Sequence, residues 1–199
     1  MTQNILFSVI IFGGLLTYPL MTQGTGELTR EEAEKIQTVG KETTEKLIST
    51  LKSALAKAMR EGGPKAAIEV CSEEALKLTS SITRENPELD VKRTSRKFRN
   101  PKNAPDRLES EALEYFENLL EDRKSAPFFL QKAQINNRKV LRYYEPLRLT
   151  GFCLNCHGTE DRIPGEVLES INQLYPDDLA RGYTEGDFRG LVRVELRMD

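Results

Sequence analysis

Residues 151–158 read Gly-Phe-Cys-Leu-Asn-Cys-His-Gly, and no other stretch constrains this chain as strongly. The sequence holds 3 cysteines and 1 histidine. Two of those thiols, Cys153 and Cys156, and the imidazole of His157 fall within five residues. Cys-x-x-Cys-His sets two thiols one helical turn apart with an imidazole directly after. Four arrangements compete for such a pattern. A redox dithiol needs only the Cys pair and expects a strand-to-helix setting in a parallel α/β fold, and it leaves the His unexplained. A zinc site of Cys71, Cys153, Cys156 and His157 has the right ligand count, but adjacent Cys and His seldom both face one tetrahedral centre. A disulfide between Cys153 and Cys156 is the plainest option. Covalently attached haem c accounts for every part: the thiols add to the two vinyl groups, and the adjacent His reaches the iron from one side.

The N-terminus bears on the redox compartment. Residues Ile5 to Met21 carry no charged group, and a polar, increasingly charged stretch follows. Such a run suits the hydrophobic part of a secretory signal, or an anchor at the lower length limit for spanning a bilayer. Residues 1–24 are thus read as a signal peptide or N-terminal membrane anchor, and 25–199 as one domain. Its location is extracytoplasmic, in a periplasm or thylakoid lumen. Exported cysteines usually pair, so an odd count leaves at least one thiol with another task. Elsewhere 29 basic residues nearly balance 31 acidic ones, and there is no Trp. This balance gives no pull toward nucleic acid, and no basic recognition stripe is present.

The apolar pattern predicts a long helix from about Thr29 to Arg60, capped by Thr29 with Glu31 and Glu32 in its first turn. Gly62-Gly63 stops it, and Pro64 opens a second helix running to about Ile82. Ile68, Cys71, Ala75, Leu78 and Ile82 recur at spacings of 3 and 4, which sets Cys71 on a buried face. Val91 to Asn100 reads as a strand. Asp106 to Arg123 reads as an amphipathic helix. Two strands joined by a polar turn at Asn136 to Lys139 lead into the motif. A short helix from about Pro164 to Leu174, a glycine-bearing loop and a closing strand at 191–198 complete an α+β domain.

The iron would have a second axial position, and no second His exists to fill it. Met59, Met198, Cys71, a Lys amine, or no residue at all are the options. Met198 stands at a chain end, where fraying is common. A lone Cys on a helical face is by default a small buried hydrophobe. A thiolate at that position would stabilise ferric iron and lower the reduction potential. Among the basic residues Lys92, Arg93, Arg96, Lys97 and Arg99, the guanidinium groups of Arg93 and Arg99 are candidates for the haem propionates. Tyr143 and Tyr144 are candidates for packing on the porphyrin, with core packing as the equal alternative.

Four ordered stretches then resemble one family: Ala66 to Ala75, Val91 to Asp106, Tyr143 to Gly158, and Tyr175 to Leu196. Together they are similar to the single-haem c-type domain with a PAS-like fold, the Tll-type haem domain of bacteria and cyanobacteria. The resemblance spans roughly residues 30 to 198. It implies an antiparallel PAS-like sheet with N-terminal helices, and His157 and Cys71 as the proximal and distal axial ligands. With both axial positions filled, the chain is expected to be no enzyme but a redox sensor or low-potential electron carrier. Some family members sense signals for kinases; no transmitter domain follows here, so a redox or signalling partner protein is expected. Two alternatives stand beside this reading: a gas or ligand sensor in which reduction displaces Cys71, and a zinc-stabilised structural module.

Overall fold

The computed structural model describes residues 27–70 and 75–198. The leader at 1–24 and Cys71 lie outside the described residues. Among those described, no helix is long and apolar enough to cross a membrane.

Helix α1 spans Arg30–Glu69. It begins where expected, with a reciprocal cap: the Glu32 amide donates to the Thr29 hydroxyl at 3.2 Å, and the Thr29 amide to the Glu32 carboxylate at 2.9 Å. The predicted break after Gly62 exists as a change of backbone direction within the helical run. Gly63 adopts φ 68° and ψ −162°, a left-handed φ that few residues other than Gly tolerate. Pro64 then restarts the helix. Of the second predicted helix, the part from Pro64 to Glu69 belongs to α1, and the far part is α2, Ala75–Glu85.

The strands are β1 Leu89–Thr94, β2 Phe129–Ile135, β3 Arg138–Arg148 and β4 Phe188–Arg197. They form one antiparallel sheet in the order β1-β4-β3-β2. This is the α+β, PAS-like arrangement the sequence implied. The β2–β3 hairpin turns through Asn136 and Asn137, with φ of 51° and 60°. Two consecutive left-handed residues match the right-handed twist of the flanking strands. The closing strand lies in the middle of the sheet, so residues 190–196 are buried in succession, the charged Arg193 and Glu195 included. Leu191 on one face, and Val192 and Val194 on the other, are fully buried.

One prediction here needs correction. The strand expected at Val91 to Asn100 starts earlier and stops at Thr94. Its partner β4 reaches Gly190, where the chains are so close that a Cβ would stand 2.8 Å from the Cβ of Ser95. The Ser95 hydroxyl instead donates to the Arg189 carbonyl at 2.6 Å, and the chain leaves the sheet. Residues 95–100 thereby turn toward the motif.

Each face of the sheet has its own core. Helices α1 and α2 cover one with Ile36, Leu47, Ile82, Val91, Leu141, Tyr143, Val192 and Val194. Helix α3, Arg107–Glu121, contributes to the other with Ala112, Leu113, Tyr115 and Phe116 packed among Phe129, Tyr144 and Leu191. Strand alternation separates Tyr143 from Tyr144 in this way.

The first interface depends on Gly40. A Cβ there would lie 2.5 and 2.6 Å from the Cβ and Cδ1 of Tyr143, a side chain only 2% exposed. Gly40→Ala would gain about 1 kcal/mol of helix propensity. Overpacking at a ring that cannot move aside costs roughly 1–3 kcal/mol. The clash is expected to win, giving a net loss of up to about 2 kcal/mol in urea unfolding. A variant as stable as the parent would show that α1 is not pressed against Tyr143.

Candidate haem-binding site

The motif follows directly from the end of β3. Leu149 is tied to the loop before β4, donating to Asp187 O at 3.0 Å and accepting from the Gly186 amide at 2.8 Å. A 3₁₀ turn over Gly151–Cys153 then runs into α4, Leu154–His157. Cys153 and Cys156 are therefore separated by one turn, as their spacing requires. They are not bridged to each other, and both are partly buried. The Cys153 sulfur lies 3.4 Å from the Thr150 hydroxyl. Cys156 packs against Ile68 of α1, Ile163, and Val167 and Ile171 of α5, Gly165–Leu174.

His157 is oriented by one contact. Its Nδ1 stands 2.7 Å from the carbonyl oxygen of Ala180. A carbonyl can only accept, so Nδ1 carries the proton. In the neutral ring this leaves the lone pair on Nε2. Neutrality is strongly favoured: burial pushes the imidazole pKa down to about 3, and the charges of Arg99 and Arg189 add to the effect. The Ala180 carbonyl opposes them only in part. The ring of Tyr183 meets the imidazole edge-on, with centroids 6.5 Å apart. Tyr183 also carries Lys97 Nζ at 4.4 Å and the Arg189 guanidinium at 5.4 Å from its ring centre.

The carbonyls at the end of a helical turn lack intrahelical partners and must find others. Here three in a row are supplied. The Cys156 carbonyl accepts from Arg99 Nη2 at 2.6 Å. The His157 carbonyl accepts from the Tyr183 amide at 3.0 Å, and the Gly158 carbonyl from the Gly182 amide at 2.8 Å. The segment from Tyr175 to Asp187 thus holds the motif along its backbone.

The other candidates are spread over the fold. Arg99 is buried and salt-bridged to Asp178, with its Nε 3.1 Å from Oδ1. Arg93 stands on β1 opposite Val192, partly buried. Lys92 pairs with Glu109 at 2.7 Å and Arg96 with Glu117 at 2.8 Å, both on α3, whereas Arg99 pairs with Asp178 in the loop before β4. Tyr143 stacks on Phe128 and donates its hydroxyl to Glu145 at 2.6 Å. Tyr144 stacks on Phe129 and donates to Gln131 Oε1 at 2.9 Å. Burial raises both phenol pKa values. Asp178, Ala180, Tyr183 and Arg189 were not singled out from the sequence. Their segment was recognisable as a glycine-bearing loop, but nothing local marks which carbonyl meets the imidazole.

Two further observations bear on the ligand. Among the described residues no group of three or more His, Cys, Asp or Glu is arranged to hold a metal ion. A zinc site would need Cys71, outside the described residues. Among the described residues, the large apolar side chains left exposed are Phe152 inside the motif (48%), Leu174 at the end of α5 (48%) and Leu179 in the flanking loop (49%).

The family model described as Tll0287-like matches residues 23–197. A crystal structure described as that of the cyanobacterial haem protein Tll0287 is similar to this chain, with a TM-score of 0.60 and 25% sequence identity. The similarity covers 86% of this chain and 98% of that one. No curated protein matches.

Proposed function

Because the chain belongs to the Tll0287-like family, we propose that it binds one haem c, with Cys153 and Cys156 as its covalent anchors and His157 as proximal ligand. The observation that carries this is the Nδ1–H bond to Ala180, which leaves Nε2 as a neutral, oriented donor next to two thiols. The residues fit the group. Each thiol would add across one vinyl double bond, forming a C–S bond while its proton passes to the other vinyl carbon, with no net oxidation. The exposed side chains of Phe152 and Leu179 supply apolar surface for a porphyrin.

Haem bound here would supply a one-electron ferric/ferrous couple. His157 would donate to the iron through Nε2, and Cys71 is the residue we assign as the second ligand. Two points support that assignment. Ile68 shares a packing cluster with Cys156. Cys71 follows it by three residues, so the chain cannot carry its Cα more than roughly 11 Å from that of Ile68. Thiolate donation stabilises ferric iron and lowers the potential. With His157 and Cys71 both holding the iron, no position would be left open for a substrate, which favours redox sensing or low-potential electron transfer over an enzyme. The protein works outside the cytoplasm, with residues 1–24 as signal or anchor, and exchanges electrons or signals with a partner protein.

The test is a haemochrome spectrum of the purified, exported protein after denaturation and solvent extraction. Retained haem with a thioether-type spectrum is expected. A colourless protein carrying zinc would overturn the reading.

A further inference from the structure

Resting on the reading above, we infer that Arg99 and Asp178 form an internal clamp that positions His157 through the Ala180 carbonyl. Arg99 then acts on the iron through the protein rather than by touching a propionate.

The geometry joins three segments that are distant in the chain. Arg99 comes from the stretch after β1, Cys156 and His157 from the motif, and Asp178 and Ala180 from the loop before β4. Arg99 is 8% exposed and the Asp178 side chain fully buried. The guanidinium grips Asp178 with two nitrogens, at 3.1 and 3.2 Å. Its Nη2 also donates to the Cys156 carbonyl at 2.6 Å and lies 3.4 Å from the Ala180 carbonyl. Asp178 in turn accepts from the Ala180 amide at 2.9 Å and from Arg181 Nε at 2.8 Å. Asp178 thus holds the Ala180 N–H, while the Ala180 carbonyl receives His157 Nδ1–H. Motif and acceptor are pinned to the same ion pair, so their separation is set by Arg99. Planar bidentate pairing provides this rigidity; an ammonium is a point charge and does not.

The direction of the effect follows from bonding. An acceptor on Nδ1–H makes the imidazole a stronger donor, which favours ferric iron. Loosening the clamp weakens that bond and raises the midpoint potential. Arg99→Lys keeps the charge and removes the fork, so a shift cannot come from lost charge alone. Asp178→Asn keeps the shape and removes the carboxylate's charge, which moves the potential the same way.

The experiment compares wild-type holoprotein, Arg99→Lys, Asp178→Asn and the double variant. Midpoint potentials are measured by mediated titration with a chemical reductant supplying the electron. Exchange of the His157 Nδ1 proton is followed by NMR in the ferrous state. Both single variants should keep covalent haem, shift the ferric/ferrous equilibrium about tenfold toward ferrous iron (about 59 mV for one electron) and speed Nδ1–H exchange at least about tenfold. The double variant should add little beyond either single change. Covalent haem with unchanged potential and exchange in both single variants would overturn the clamp and leave the haem reading intact. If Arg99→Lys fails to fold, Asp178→Asn decides alone by the same two measurements. A wild-type protein without haem would overturn both.

Discussion

Replacing Cys71 with Ser is expected to change the ferric absorption spectrum and raise the midpoint potential by on the order of 0.1 V, a modest part of the ~0.8 V range that axial ligands span. A thiolate is anionic and a strong donor, so it favours ferric over ferrous iron. Serine at this position offers a neutral, weaker oxygen, and the oxidised state loses its preferential stabilisation. Cys153, Cys156 and His157 are untouched, so haem content should stay at the wild-type level. That control matters: it separates a ligand effect from loss of the cofactor. If spectrum and potential both stay unchanged while haem is retained, Cys71 is a packing residue and the distal position belongs to another group. Rapid CO binding by the reduced wild-type protein would point instead to a distal bond that opens on reduction.

The largest stability effect is expected at Glu109, on the face of the sheet away from α1. Its side chain is fully buried, with Lys92 Nζ at 2.7 Å and Arg193 Nε at 3.1 Å. It also closes the cap of α3 by accepting from the Asp106 amide at 2.9 Å. Glu109→Ala would leave two cations without this partner and remove half of the capping box. Breaking a buried pair on one side costs about 3–5 kcal/mol. Total stabilities run only about 5–15 kcal/mol. The remaining acceptors of Arg193, Asp90 at 2.7 Å and Glu195 at 3.6 Å, compensate only in part. The urea midpoint of Glu109→Ala should therefore fall steeply, with Glu109→Gln falling less because its amide oxygen still accepts. A loss below about 1 kcal/mol for the alanine variant would mean that water replaces the carboxylate at little cost.

This network also shows where reading the chain residue by residue stops. By sequence, Lys92 and Arg96 belong to a basic cluster with the propionate candidates Arg93 and Arg99, or else to a solvated strand face. In the fold they reach opposite points of α3, at Glu109 and Glu117. Alternation along β4 was plain, but not that Arg193 and Glu195 would be buried beneath a helix. The charges of β3, β4 and α3 choose one another only after the strand order is set. A similar limit applies to Tyr143 and Tyr144. Their adjacency suggested a shared role, while the strand period sends one ring toward α1 and the other toward α3.

Local rules were enough where the determining interaction is local. Thr29 with Glu32, Asp106 with Glu109, the Asn136–Asn137 turn and the break at Gly63 each depend on neighbours within four residues. The sequence by itself therefore determined the helices, most strand positions and the spacing of Cys153, Cys156 and His157. Only the tertiary structure decided which nitrogen of His157 is left to donate. That choice depends on the Ala180 carbonyl, 23 residues away, and on Arg99, 57 residues before Cys156. A carbonyl acquires this role only when packing brings it to hydrogen-bonding distance of the ring, here 2.7 Å.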